Sequence, residues 1–345
     1  MAQGWSSVAP DDDLVLRPLS DGGPGFIDAV AAGQGGVRHG LSVTGPLGAR
    51  VHAEYLVTDD RTAWIESASA AGLHQIPPDR RDPTSTTSRG VGELMAAALS
   101  GDVRRIVVGV GGTGICDGGA GLLSALGATS DPRDGLTSGG LQVRRLQSLD
   151  LTLALAAVGA CTLEVATDVD VPLLGPRGAA RGFAPQKGAT PEQVEDLEAA
   201  MTTWAGLLGR TAEGRSAAVA LGAGAGGGIG AALIRLGASR VPGIDTVLSA
   251  AGITPTLADV DLVVTGEGAF DWQSLRGKVV AGVATAALER AVPVLVLAGR
   301  VEVSRREWIT AGVSAAFEAA SQPGEPPAAG VARAAARAAK TWSRR

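Results

Sequence analysis

Apolar residues in this chain gather in short runs rich in Val, Leu and Ile, each closed by glycine. That is the pattern of strands buried on both faces of a parallel sheet. Residues 104–110, 261–265 and 292–298 read as such strands. Between the last two, residues 279–289 carry a helical pattern, giving a βαβ unit of ordinary length. Residues 13–19 read as a further strand that runs through Asp21-Gly22-Gly23 into a helix from Phe26. Residues 41–57 and 63–66 differ, reading as antiparallel pieces turned at Gly45-Pro46 and Asp59-Asp60. Thr190-Pro191-Glu192-Gln193 opens a helix, with Thr as N-cap, Pro at N1 and Gln at N3. Along it Val194, Leu197, Met201, Trp204 and Leu208 recur at helical spacing, which marks a core face. The Ala/Arg-rich end from Pro326 reads as a final exposed helix or a frayed tail. Parallel βα units around an antiparallel segment predict an α/β fold of two α/β domains, one inserted into the other.

Composition narrows the class. A chain of 345 residues has the length of about two domains, and 45% hydrophobic residues are enough to bury a core. The net charge of −5 and only 3% aromatic residues argue against nucleic-acid and membrane-surface binding, which need basic faces or stacking platforms. Two cysteines, Cys116 and Cys161, cannot form a disulfide framework, and the opening residues lack a basic and an apolar signal region. A cytoplasmic location is therefore expected. The longest uncharged run, between Arg215 and Arg235, is too glycine-rich to read as a spanning helix. Only three basic residues are lysine (Lys187, Lys278 and Lys340), and asparagine is absent, which excludes protein-kinase chemistry.

Candidate chemistry lies in glycine-bounded loops. Gly109-Val-Gly-Gly-Thr-Gly114 and Gly222-Ala-Gly-Ala-Gly-Gly227 both match GxGxxG. Such loops let backbone N–H groups approach an anion, and they equally make plain tight turns in a chain with 50 glycines. Asp117-Gly-Gly-Ala-Gly121 adds an acid, which suits a metal or a hydroxyl better than a bare diphosphate. No Walker A loop is present, since Gly277-Lys278 is followed by Val279. Asp21, Asp168 with Asp170, and Glu267 with Asp271 fall at strand ends or turns, where carboxylates hold magnesium or take a hydroxyl proton, or simply cap helices. Arg177 and Lys187 follow Asp168, and Arg276 and Lys278 follow Asp271; they suit a phosphorylated ligand, or surface ion pairs. His39, His52 and His74 show no zinc spacing and serve no nucleophile elbow.

The ordered set is more specific than any member of it. It comprises Asp21-Gly-Gly-Pro-Gly-Phe26, Val43-Thr-Gly-Pro-Leu-Gly48, Thr86-Thr-Ser-Arg-Gly-Val-Gly-Glu93, Val110-Gly-Gly-Thr113 and Asp117-Gly-Gly-Ala-Gly121. Asp168-Val-Asp170, Leu174-Gly-Pro-Arg-Gly-Ala179, Ala184-Pro-Gln-Lys-Gly-Ala189, Gly224-Ala-Gly-Gly-Gly-Ile-Gly230, Val264-Thr-Gly-Glu-Gly268 and Gly277-Lys278 complete it. Together they resemble the bacterial glycerate kinase family (type I) over nearly the whole chain.

The resemblance implies a discontinuous Rossmann-like parallel-sheet domain, residues 1–40 and 240–345, and an inserted mixed-sheet α/β domain, residues 41–239, with the active site in the cleft between them. It implies ATP and Mg2+ as cofactors and a small-molecule substrate, D-glycerate or a related hydroxy acid, phosphorylated at the 2-hydroxyl; a homodimer is compatible with it. Asp168, Lys187 and Arg177 would be catalytic: Asp168 on the hydroxyl, Lys187 on developing charge, Arg177 on the carboxylate. Asp21, Gly22, Gly23, Gly111, Gly112, Thr113, Asp117, Glu267 and Lys278 would bind nucleotide, with Asp21, Glu267 and Asp271 around the metal. Members of the family usually begin with a strand and an Ala-Pro-Asp-x-x-Lys-x-Ser loop ahead of a helix ending near Gly-Trp, here Gly4-Trp5. The absence of such an inner strand would leave its neighbours' ladder groups unpaired. Pro24, Cys116, Val171 and Ala269 stand where the family commonly has an acid, Asn, Asn and Arg. Two other readings are a catalytically impaired member that binds nucleotide or hydroxy acid, and a dinucleotide-dependent oxidoreductase.

Overall fold

The computed structural model describes residues 1–272, 274–275, 278–322 and 324–343. Arg276 and Gly277 of the second lysine loop lie outside the described residues. The chain divides into two compact units: Ser20–Val247, and Met1–Leu19 together with Leu248–Arg345. Residues 20–40 and 240–247, assigned from sequence to the discontinuous domain, pack within the first of these.

The larger unit is built on a six-stranded sheet. Its strands are β1 (Val37–Thr44), β2 (Arg50–Val57), β3 (Thr62–Glu66), β4 (Arg105–Gly109), β7 (Thr162–Ala166) and β8 (Ser239–Val241), in that spatial order. β5 (Thr129–Asp131) and β6 (Ser148–Asp150) form a separate antiparallel pair. β1, β2 and β3 are antiparallel, as the turns at Gly45 and Asp59 predict, with Val37 opposite Val57 and Tyr55 opposite Ile65. β3, β4, β7 and β8 are parallel, with Ile65 beside Val108 and Val108 beside Val165. β3 is buried along its whole length, so Ala63, Trp64 and Ile65 all contribute to the core.

The helix Pro191–Leu208 starts in the predicted capping box: the Thr190 hydroxyl accepts from Gln193 N–H, and the Gln193 side chain accepts from Thr190 N–H. Val194, Leu197, Met201, Trp204 and Leu208 are all buried on its core face. Trp204 also spends its indole N–H on the Gly118 carbonyl at 2.8 Å, which ties this helix to the loop after β4.

The smaller unit holds a three-stranded parallel sheet, β11 (Ala315–Glu318), β10 (Val294–Val301) and β9 (Val263–Phe270), in that order. The helix Val279–Leu288 connects β9 to β10, completing the βαβ unit read from the sequence. The terminal helix Pro327–Trp342 is neither frayed nor exposed all round, because Gly330, Ala334, Ala335, Ala338 and Ala339 are buried. Small side chains let it approach Leu295 and Leu297 of β10 closely, and Trp5 closes the cluster.

One strand is absent where the sequence predicted it. Residues 13–19 carry no regular structure and make no backbone–backbone hydrogen bond among the described residues. A strand needs a partner edge, and β propensity alone does not supply one. Among the described residues β9 pairs only with β10, so its other edge carries no strand. Residues 14–19 and 262–266 line one cavity of about 830 Å³. No helix among the described residues is long and apolar enough to cross a membrane.

Candidate active site

In the larger unit, three glycine-rich turns meet beyond the carboxyl ends of the parallel strands, the usual ligand side of an α/β sheet. The turn Asp21-Gly22-Gly23 lies over the ends of β4 and β7. Gly111 N–H donates to the Gly22 carbonyl at 3.0 Å. Gly22 has φ +93°, and a Cβ there would lie 2.9 Å from the Ala166 carbonyl oxygen at the end of β7. Only glycine fits that turn without strain. Asp21 folds back locally, accepting from Gly23 N–H at 3.3 Å.

Asp168, two residues past β7, reaches across to the residues following β8. Its two oxygens accept the backbone N–H groups of Gly243 (2.9 Å) and Ile244 (3.0 Å), which open the helix Gly243–Ala250. A carboxylate at a helix start is favoured by the exposed N–H groups there. Burial nevertheless dominates: it pushes the Asp168 carboxyl up to about 7, with the neighbouring Asp21 and Asp245 charges adding to the rise. The two accepted bonds leave further lone pairs on the same carboxylate free for a ligand hydroxyl.

The loop from Gly109 to Gly121 is held from within. Asp117 is 1% exposed, and its oxygens accept from Ser88 N–H (2.7 Å), Ser88 Oγ (2.8 Å), Gly119 N–H (3.0 Å) and Gly121 N–H (3.2 Å). Lys187 is 4% exposed and donates to the Ile115 carbonyl at 2.7 Å and to Thr113 Oγ1 at 3.5 Å. Burial lowers the Lys187 ammonium below its ordinary value and raises Asp117 above its own. Both side chains therefore brace the loop that presents Gly111, Gly112 and Thr113. Cys116, wholly buried between them, has its thiol pushed up to about 11 by burial and stays protonated.

The structure thus brings Asp21, Gly22, Gly23, Gly111, Gly112, Thr113, Asp168 and Lys187 into one connected region of the larger unit. Arg177 belongs to the same unit and is exposed, on the turn closed by the Gly178 N–H to Gly175 carbonyl bond. Glu267, Asp271 and Lys278 belong to the smaller unit: Glu267 on β9, Asp271 just after it, Lys278 as N-cap of the helix Val279–Leu288. Asp271 accepts from Ser274 N–H at 3.2 Å, the short-range bond of a turn. The second GxGxxG run is an internal turn: Gly227 O accepts from Gly118 N–H, and a Cβ on Gly227 would lie 2.0 Å from the Ile115 carbonyl oxygen.

Glu66 escaped the sequence reading. It ends β3, is buried, and accepts from Phe26 N–H at 2.8 Å at the start of the helix Phe26–Gln34; burial raises its carboxyl above the usual range. An acid closing the apolar run Ala63-Trp64-Ile65 was the available signal. Among the described residues no three His, Cys, Asp or Glu side chains are gathered tightly enough to hold a metal ion by themselves.

A sequence model described as the Glycerate kinase family matches residues 1–344. The chain is 40% identical over 319 residues to a glycerate kinase of Bacillus subtilis, covering 91% of this chain and 83% of that one. It is 41% identical over 302 residues to a glycerate 2-kinase of Escherichia coli, covering 86% of this chain and 79% of that one. The crystal structure of a protein assigned as glycerate kinase 2 from Salmonella typhimurium LT2 superposes with a TM-score of 0.78 at 39% identity, over 99% of this chain and 91% of the other.

Proposed function

The chain belongs to the glycerate kinase family, and from that premise we propose that it transfers the γ-phosphoryl group of ATP to the 2-hydroxyl of D-glycerate. The observation that carries this reading is Asp168: a carboxyl with spare lone pairs, held by Gly243 and Ile244 and tuned to about 7. A general base is most effective when its pKa lies near the working pH. Phosphoryl transfer otherwise asks little covalent chemistry of the protein, mainly positioning and charge neutralisation.

In this reading Asp168 accepts the proton of the 2-hydroxyl as it attacks phosphorus. The turns at Gly22-Gly23 and Gly111-Gly112-Thr113 offer backbone N–H groups to phosphate oxygens, and Asp117 acts on them indirectly by fixing the second turn. Lys187 supplies positive charge from beneath that turn, where low dielectric strengthens it. Glu267 and Lys278 of the smaller unit are assigned to the nucleotide. Arg177 is exposed, so its hold on the substrate carboxylate is screened by water.

Magnesium fits the donors at hand. Carboxylate oxygens are the ligands it prefers, and it is commonly held by one or two of them together with substrate phosphates. Asp21 lies near enough to Asp168 to raise its pKa, and it is the carboxylate that the larger unit would offer the ion. When bound, the ion neutralises phosphate charge.

The test is ATP consumption with D-glycerate and magnesium, with the phosphorylated carbon identified by NMR. Turnover giving 2-phosphoglycerate is expected. Absence of turnover, with glycerate and nucleotide still raising the melting temperature, would instead support a binding protein.

A further inference from the structure

β1 is an edge strand of the six-stranded sheet, and its outer side pairs with no strand among the described residues. Across the turn that joins it to β2, Gly45 N–H donates to the Ala49 carbonyl, which makes that pair a hydrogen-bonded rung. Such rungs alternate along an antiparallel ladder. Val43, Leu41, His39 and Val37 therefore bond to β2, while Thr44, Ser42, Gly40 and Arg38 turn their N–H and C=O groups outward. Thr44 agrees with this phase, because its N–H donates to Glu93 at 2.7 Å and not to β2. Among the described residues the N–H groups of Arg38, Gly40 and Ser42 have no acceptor and are left to water.

Sheet edges are normally blunted by brevity, lysine, proline or a bulge. The opposite edge, β8, is three residues long. β1 runs for eight residues without lysine or proline and pairs with β2 without a bulge. Its two ends also carry opposite charge. Toward Val37, Arg38 faces two acids, Asp28 at 2.7 Å and Glu54 at 3.4 Å. Toward Thr44, Glu93 faces two arginines, Arg50 at 3.1 Å and Arg89 at 3.2 Å. An antiparallel copy brings the acidic end of each strand to the basic end of the other.

We propose that β1 pairs with β1 of a second copy of this chain, antiparallel about a two-fold axis at Gly40, so that two six-stranded sheets become continuous. The register follows from which residues are open. With Gly40 on the axis, Gly40 meets its own copy and Arg38 meets the partner's Ser42, so the open residues pair among themselves. A shift toward Thr44 calls on a residue whose N–H is held by Glu93 and whose carbonyl packs on Gly90 of the helix Arg89–Leu99. A shift toward Val37 leaves Ser42 without a strand residue opposite and, one step further, sets Arg38 against Arg38, a like-charge pair. In the Gly40 register Val37, 62% exposed, faces the partner's Val43, and His39 faces the partner's Leu41. The two-fold makes each contact twice and takes Val37 out of water. This interface is independent of the phosphotransferase reading.

Sedimentation velocity on the full chain tests it at about 20 μM, where a micromolar Kd populates the dimer. The wild type should sediment at twice the chain mass. Val37→Lys sets an ammonium beside the partner's Val43, and Ser42→Pro removes an outward N–H that β2 does not use; both should sediment as single chains. Circular dichroism checks that they are folded, and the exposed Val37 site keeps the test valid if Ser42→Pro is not. Arg38→Cys/Ser42→Cys reads the register. Paired Cα atoms about 5.5 Å apart lie within disulfide reach, so mild oxidation should link two chains. Ser42→Cys alone should link no more than the wild type. A wild type of single-chain mass, whatever else binds the edge, would overturn the proposal. So would a dimer that survives Val37→Lys, or linkage of Ser42→Cys equal to that of the double variant.

Discussion

Ser88 spends both its backbone N–H and its hydroxyl on a single oxygen of Asp117, at 2.7 and 2.8 Å. The same Ser88 hydroxyl oxygen accepts from Leu122 N–H at 3.0 Å, so the helix Ala120–Ala125 and the segment before the helix Arg89–Leu99 share one buried carboxylate. Replacing Asp117 with Ala strands the N–H groups of Ser88, Gly119 and Gly121 in the core. Each stranded donor costs about 1–3 kcal/mol, so a loss of at least about 3 kcal/mol is expected in urea unfolding. A loss below about 1 kcal/mol would show that the network adds nothing.

Asp168 makes activity and stability respond to pH in opposite senses. Its folded carboxyl titrates at about 7, above the unfolded value of about 4. Between those values the folded state holds the extra proton, so stability falls as pH rises from about 4 to about 7 and then levels. The ionised base accumulates over the same rise, so kcat/KM should climb through about pH 7. Asp168→Asn should lower kcat on the order of 10²–10⁴-fold and flatten the fall of Tm with pH. A variant that retains full kcat would remove Asp168 from the role of base.

The contact between Gly227 and Ile115 tests whether the second glycine run is structural. Gly227 has φ +67°, and an added methyl would press on a carbonyl that already accepts from Lys187. Gly227→Ala should cost about 2 kcal/mol or more, from overpacking and left-handed strain together. Urea midpoints measure the cost. An unchanged midpoint would show that the turn relaxes freely.

The sequence carries some of this architecture openly and hides the rest. The capping box at Thr190 and the unit β9–helix–β10 are local, set by neighbours within a few residues, and both are legible. Residues 13–19 have the composition of a strand but pair with none, although one edge of β9 carries no strand, and composition does not report partners. The turns Asp21-Gly22-Gly23 and Gly109–Gly114 were visible as glycine runs beside strand ends. The seating of Lys187 was not, because its acceptors Thr113 and Ile115 lie more than seventy residues away. Asp168 is similar: that it faces a helix start depends on Gly243, 75 residues on.

The unpaired segment 13–19 has a practical consequence. Proteases bind their substrates as extended chains and form main-chain hydrogen bonds to them, which is the state in which Val15 and Leu16 already stand, 48% and 66% exposed. Brief digestion with chymotrypsin or elastase should therefore nick the native protein first around Val15 and Leu16, giving a fragment that mass spectrometry identifies at once. A purified sample stored with traces of such enzymes would be cut there long before the six-stranded sheet is touched, with the opening helix then held by the packing of Trp5.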